Sequence, residues 1–158
     1  MANTSYLKKT VEPFLLKWAE KQTGVELKPF KVVVGHRMDG SPVQFEFDGV
    51  SENGAVGVCV SASSSFKVGQ ERKLFMDATL LNRVHQFNRR LMVFIESHVW
   101  EGFKNRCDGL VDLKSIEPLV CTNLPQEMRD KIVEIYKVSA EEVGDRRGRG
   151  TKVPGRRR

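Results

Sequence analysis

The sequence predicts an α/β domain built on a central mixed sheet. Two strand patterns bracket an Asn-Gly pair, a continuous apolar run lies downstream, and helix-spaced apolar residues flank both. In residues 43–48, Val43, Phe45 and Phe47 alternate with Gln44, Glu46 and Asp48. In residues 56–61, Val56, Val58 and Val60 alternate with Gly57, Cys59 and Ser61. Both are the period-2 patterns of strands. Between them stands Asn53-Gly54, the strongest short hairpin signal, because a type I′ turn needs positive φ at both central residues. A two-residue loop there pairs Glu52 with Ala55, Val50 with Gly57, Asp48 with Cys59 and Glu46 with Ser61. Opposed side chains in such pairs share a face and lie about 5 Å apart. One face is therefore expected to carry Glu46, Asp48, Cys59 and Ser61, and the other the valines and phenylalanines.

The remaining elements follow in order. Leu7, Val11, Phe14, Leu15 and Trp18 have helical spacing, and Gly24 gives a stop. Pro13 fits this helix in a first turn capped by Thr10, or at a kink. A strand is expected over 25–34, with Pro29 marking an edge, then a turn over 35–42. Ser63-Ser64-Ser65 forms a loop. A helix over 68–87 places Leu74, Ala78, Leu81 and His85 on one face, so His85 reads as a core histidine. The run LMVFI at 91–95 is typical of a strand buried on both faces. A short helix over 98–106, short strands over 110–113 and 116–120, and a helix over 125–137 complete the chain. A three-strand meander, a crossover helix and a buried strand make a mixed α/β sheet in the order helix-strand-strand-strand-helix-strand, flanked by helices.

Composition sets bounds. At 158 residues, 40% apolar and 29% charged, the chain is one ordinary globular domain. No apolar run approaches a membrane span, and residues 1–10 lack the apolar core of a signal peptide. Three cysteines without CxxC spacing read as reduced thiols in a cytoplasmic protein, with no zinc site. Of 26 Lys and Arg, seven lie in residues 144–158, against one of 20 Asp and Glu, so the rest of the chain is neutral. Residues 1–143 are therefore expected to form the domain and 144–158 a basic disordered tail. Its Arg146, Arg147, Arg149, Lys152, Arg156, Arg157 and Arg158 suit phosphate backbones. A solubility tail, or a contact for an acidic protein, is the alternative. Arg89 and Arg90 are a second basic cluster at a helix end, where a cap complementing the helix dipole is the simpler role.

The element order, with Asp48 ending one strand and Cys59-Val60-Ser61 on the next, resembles the restriction-endonuclease-like superfamily of PD-(D/E)XK nucleases, over roughly residues 5–96. In that family an aspartate is followed, often about ten residues on, by Glu-x-Lys. Here Asp48 and ten intervening residues lead to Cys59 and Ser61 at the glutamate and lysine positions. The resemblance implies a restriction-endonuclease-like core and gives Glu12 the part of the acidic residue that the family often carries on the preceding helix. Glu12 lies nearer the apolar stripe than Glu20.

Phosphodiester hydrolysis in such a site needs a divalent metal to activate water and offset charge. Magnesium takes hard oxygen ligands, usually anchored by two carboxylates. Cys59 is a soft donor and Ser61 carries no charge, so Asp48 alone binds metal weakly. Glu46 on the same strand, about 7 Å from Asp48, Glu12, and Lys67 are the residues that could restore the site. Lys73 and Glu71 on the following helix could do the same. Cys59 reads as a small buried residue, and a nucleophilic role would need a nearby histidine.

The leading expectation is a non-catalytic nuclease-like domain, without cofactor, that binds nucleic acid (DNA favoured over RNA) or supports a nucleic-acid-processing partner. The alternatives are an active Mg2+- or Mn2+-dependent nuclease with a rearranged site, and a protein-interaction scaffold with a protein partner or as a homodimer. No membrane partner is expected. Fold alone does not choose among these.

Overall fold

The computed structural model describes residues 4–149, with side chains over 5–138. The chain begins with α1 (Thr4–Tyr6) and a π-helical turn (Leu7–Val11), followed by α2 (Glu12–Thr23) and the strands β1 (Leu27–His36), β2 (Pro42–Ser51) and β3 (Val56–Val60). Then come α3 (Val68–Arg83), β4 (Arg89–Phe94), α4 (Ser97–Cys107), β5 (Ile116–Val120) and α5 (Gln126–Arg149). The strands form one mixed sheet in the order β1-β2-β3-β4-β5. β1, β2 and β3 are antiparallel neighbours, while β3–β4 and β4–β5 are parallel. The class is α/β.

Hydrophobic burial divides the molecule into three layers. Along β4 and the residue after it, Met92 and Phe94 enter one core while Leu91, Val93 and Ile95 enter the other. The LMVFI run is thus apolar throughout because both faces of its strand are covered. One core joins the sheet to α3 and α4 through Leu74, Ala78, Leu81, Val99 and Phe103. The second joins it to α2 and α5 through Leu15, Ala19 and Ile132.

The hairpin keeps the expected register but not the expected turn. Val50 pairs with Gly57 and Gly49 with Val58. The loop has four residues: Ser51 O accepts from Gly54 N at 2.9 Å, with Gly54 at φ 70°. The buried Ser51 Oγ accepts from the amides of Ala55 and Val56 at 3.1 and 2.9 Å. That serine closes the loop where a two-residue turn would have used Asn53 and Gly54 alone.

The face assignment differs more deeply. Between Lys28↔Val50 and Phe30↔Phe47, β2 spends two residues where β1 spends one. This β-bulge lies opposite Pro29, which has no N–H to give a ladder. An extra residue turns the following side chains over. Phe47 and Val50 therefore enter the same core as Cys59. Glu46 and Asp48 line a groove on the α2 side with Leu16 and Val60. Asp48 does not share a face with Cys59, nor Glu46 with Ser61.

Three further expectations change. α3 ends at Arg83, with Val84 extended, because the Arg90 guanidinium donates to the carbonyls of Leu81 and Val84 at 2.9 and 3.0 Å. His85 is consequently exposed beyond the helix rather than in the core. Residues 110–113 form no strand, only a bridge between Asp108 and Val111. Residues 144–149, expected to begin the disordered tail, continue α5; residues 150–158, with Lys152, Arg156, Arg157 and Arg158, lie outside the described residues.

The cores make one sharp prediction. A Cβ at Gly57 would collide with the Phe87 ring, striking Cε2 first and lying 2.5 Å from Cδ2 and 2.6 Å from Cζ. Gly57→Ala should destabilise by about 2 kcal/mol. In a Phe87→Ala background, urea denaturation should show that penalty falling toward zero.

Candidate functional site

The candidate site lies where β2 and β3 part. Beyond Gly49↔Val58 the ladder stops, and the Val60 peptide is left facing the gap. A buried amide or carbonyl without a partner costs about 1–3 kcal/mol. Two side chains meet that demand. Asp48 Oδ2 accepts from Val60 N at 2.8 Å, and Lys73 Nζ, from α3, donates to Val60 O at 3.2 Å. Lys73 Nζ also pairs with Asp77 Oδ2 at 3.0 Å, one helical turn on. Asp77 is only 7% exposed.

Glu12 faces the same groove from the first turn of α2, together with Lys8, Pro13, Leu16, Glu46 and Asp48. The groove encloses about 290 Å³. It is close-walled because Gly49 lets α2 approach the sheet: a Cβ there would lie 2.5 Å from Leu16 Cδ1 and 3.2 Å from Leu27 Cβ. Beside Val60, the Ser61 hydroxyl is buried and has no hydrogen-bond partner among the described residues. On strand alternation, Ser61 falls with Cys59 on the α3 side.

The electrostatics follow from burial. Desolvation raises the Asp48 carboxyl above its ordinary range, although the Val60 amide and Lys73 pull the other way. Desolvation, and then the Asp48 charge, raise Glu12. Desolvation also raises Asp77 against the opposing pull of Lys73. Burial works to lower Lys73, but Asp77 and Asp48 outweigh it and hold the ammonium more firmly protonated. Three carboxyls thus share one close cation, with Lys8 acting on Glu12 and Asp48 from further off. Tyr136 of α5 borders the cluster. Burial raises its phenol, against the opposing pull of Ser63, Lys73 and Gln70.

The predicted residues sort as follows. Asp48 and Glu12 come together. Glu46 lines the groove but is exposed, and Lys67 is an exposed residue at the N-cap of α3. Cys59 is in the core, and burial pushes its thiol well above the ordinary value, so it is an unreactive packing group. Arg89 forms a two-pronged pair with Glu117 at 2.8 and 3.2 Å, and Arg90 caps α3. Arg146, Arg147 and Arg149 stand on the α5 backbone, their side chains outside the described set. Lys73, weighed from the sequence only beside Lys67, is the lysine that reaches the backbone of Val60, whose amide Asp48 holds. Asp77 was missed. Its signal was an aspartate on the Leu74, Ala78 and Leu81 side of α3, four residues after a lysine.

The magnesium implied by the resemblance can be tested against these donors. The second oxygens of Asp48 and Asp77 and the Val60 carbonyl are hard ligands of the right kind. Among the described residues, no three His, Cys, Asp or Glu side chains stand close enough to hold an ion jointly. The Val60 carbonyl and Asp77 Oδ2 are already held by the Lys73 ammonium, so an ion there would have to displace that cation.

Two stability measurements check this electrostatic picture. A raised carboxyl destabilises the fold once ionised. Glu12→Gln should therefore stabilise by about 0.5 kcal/mol near pH 8, an effect kept small by partial exposure. The gain should fade as pH drops through the raised value of Glu12 and below 4.5. Lys73→Met should cost about 1–2 kcal/mol by leaving Asp77 without its cation. Lys73→Met combined with Asp77→Asn should recover most of that loss in urea titrations.

Comparison of the chain with protein-family models, curated proteins and solved structures finds no match. The case for a function rests on the chemistry around the Val60 peptide.

Proposed function

We propose that this chain is a metal-dependent phosphodiester-cleaving domain with a rearranged PD-(D/E)XK-like site. The carrying observation is the convergence of Asp48 from β2 and Lys73 from α3 on the Val60 backbone, with Asp77 paired to Lys73. The motif positions on β3 lack one carboxylate and one cation. Asp77 and Lys73 bring one of each from the next helix. Asp48, Asp77 and the Val60 carbonyl would hold a Mg2+ or Mn2+ ion. Such an ion would supply an activated water and offset charge on the phosphate. Lys73 presents its ammonium to a phosphate oxygen or to the attacking water. Glu12, whose raised value brings it nearer neutrality, is placed to accept a proton. The substrate class is nucleic acid, with DNA favoured over RNA.

A second reading has its own observation. The Lys73 ammonium already bonds both the Val60 carbonyl and Asp77, so a fixed side-chain cation stands where a metal would. In that case the domain binds nucleic acid without cutting, or supports a protein partner or a second copy of itself.

Cleavage of plasmid, duplex, single-stranded DNA and RNA with Mg2+ or Mn2+ separates the readings. Under the first, Asp48→Asn, Asp77→Asn and Lys73→Met each lower the rate by roughly 10²-fold or more, while Lys67→Ala leaves it near wild type. Absence of any metal-dependent cut by the wild-type chain sinks the first reading in favour of the second. For either, removing residues 150–158, with their four cations, should flatten the plot of log affinity against log salt by about 3 to 4 units on duplex DNA.

A further inference from the structure

The π-helical turn at Leu7–Val11 has a cause in the sequence and a consequence at the groove. Pro13 lies in the first turn of α2 and has no N–H. Continued as a regular α-helix, its ring would strike the carbonyl of Lys9. The chain widens instead, and the Glu12 amide donates five residues back, to Leu7 O. Wide turns of this kind are rare and occur often at functional sites. This one keeps Val11 fully buried while Lys8 lines the same groove as Glu12, Pro13, Glu46 and Asp48. Lys8 therefore stands on the α2 side of Asp48, while Lys73 comes from α3 to the carbonyl of Val60, whose amide Asp48 holds. A nucleic-acid strand with one phosphate at Asp48 and Lys73 would carry its adjacent phosphate along the groove. The carboxylates of Glu12 and Glu46 repel that phosphate, so a cation on the wall is needed there.

We propose that this groove is a subsite for a nucleic-acid backbone phosphate next to the reacting one, with Lys8 as its cation. The inference rests on phosphodiester chemistry at Asp48, but its test does not require turnover. The probe is a fluorescein-labelled 20-base-pair DNA duplex, followed by anisotropy in EDTA across a salt series. Lys8→Gln should weaken binding about 3- to 10-fold at low salt and reduce the slope of log affinity against log salt by about 0.9, the loss of one phosphate contact. Lys8→Arg should retain both. Lys9→Gln, an exposed neighbour, should change neither. Pro13→Ala removes the cause of the wide turn. It should melt no lower than wild type yet bind as weakly as Lys8→Gln, a combination that loss of fold cannot produce.

If Lys8→Gln and Lys9→Gln behave alike, the subsite is overturned, even where metal-dependent cleavage is found. If the Lys8 effect appears in a chain that never cuts, the subsite stands and the nuclease reading falls. If the wild-type chain binds no duplex at low salt, the subsite falls, and the nuclease reading is decided by cleavage alone.

Discussion

The candidate site depends on one hydrogen bond, from the Val60 amide to Asp48 Oδ2. The β2–β3 ladder ends two pairs after the hairpin loop, leaving a strand-end peptide between two packed cores. An unsatisfied peptide there would cost more than most surface contacts contribute. The bulge opposite Pro29 turns Asp48 to the α2 side, and Asp48 bridges the gap. Lys73 does the same for the Val60 carbonyl from the opposite layer. The parting of two strands therefore brings a carboxylate and an ammonium to the backbone of the same residue.

That arrangement opposes stability to chemistry. Three carboxyls are shifted up by burial because their charges are poorly solvated and share one close ammonium. A fold selected for stability alone would carry fewer acids at this position, since partly compensated buried charge is unfavourable. Functional sites commonly hold perturbed groups of this kind. The Lys73–Asp77 pair limits the cost, and the half-exposed lysine remains within reach of a ligand.

The α2 side shows a related compromise. Gly49 allows Leu16 to press against the sheet, which brings Glu12 to Asp48. Pro13 forces the preceding turn wide, which accounts for the π register. Neither residue carries a functional group, yet together they shape the groove in which Asp48 sits.

Local periodicity made much of the fold legible. The alternating valines and phenylalanines announced the hairpin strands, the Asn53-Gly54 region set a register that the chain keeps, and LMVFI marked a strand covered on both faces. Each depends on side chains close in sequence meeting a pleated backbone. What the sequence by itself determined was therefore the α/β class and the hairpin register. Tertiary structure alone decided that Asp48 turns away from Cys59, because the bulge is set by pairing with β1 and Pro29 lies 19 positions earlier in the chain. It also decided that Lys73 and Asp77 stand beside Asp48, since α3 reaches the end of β3 only after the crossover has packed against the sheet. A periodic pattern reports which face of an element is buried, and the residues that converge at a gap between elements follow from how those elements are paired.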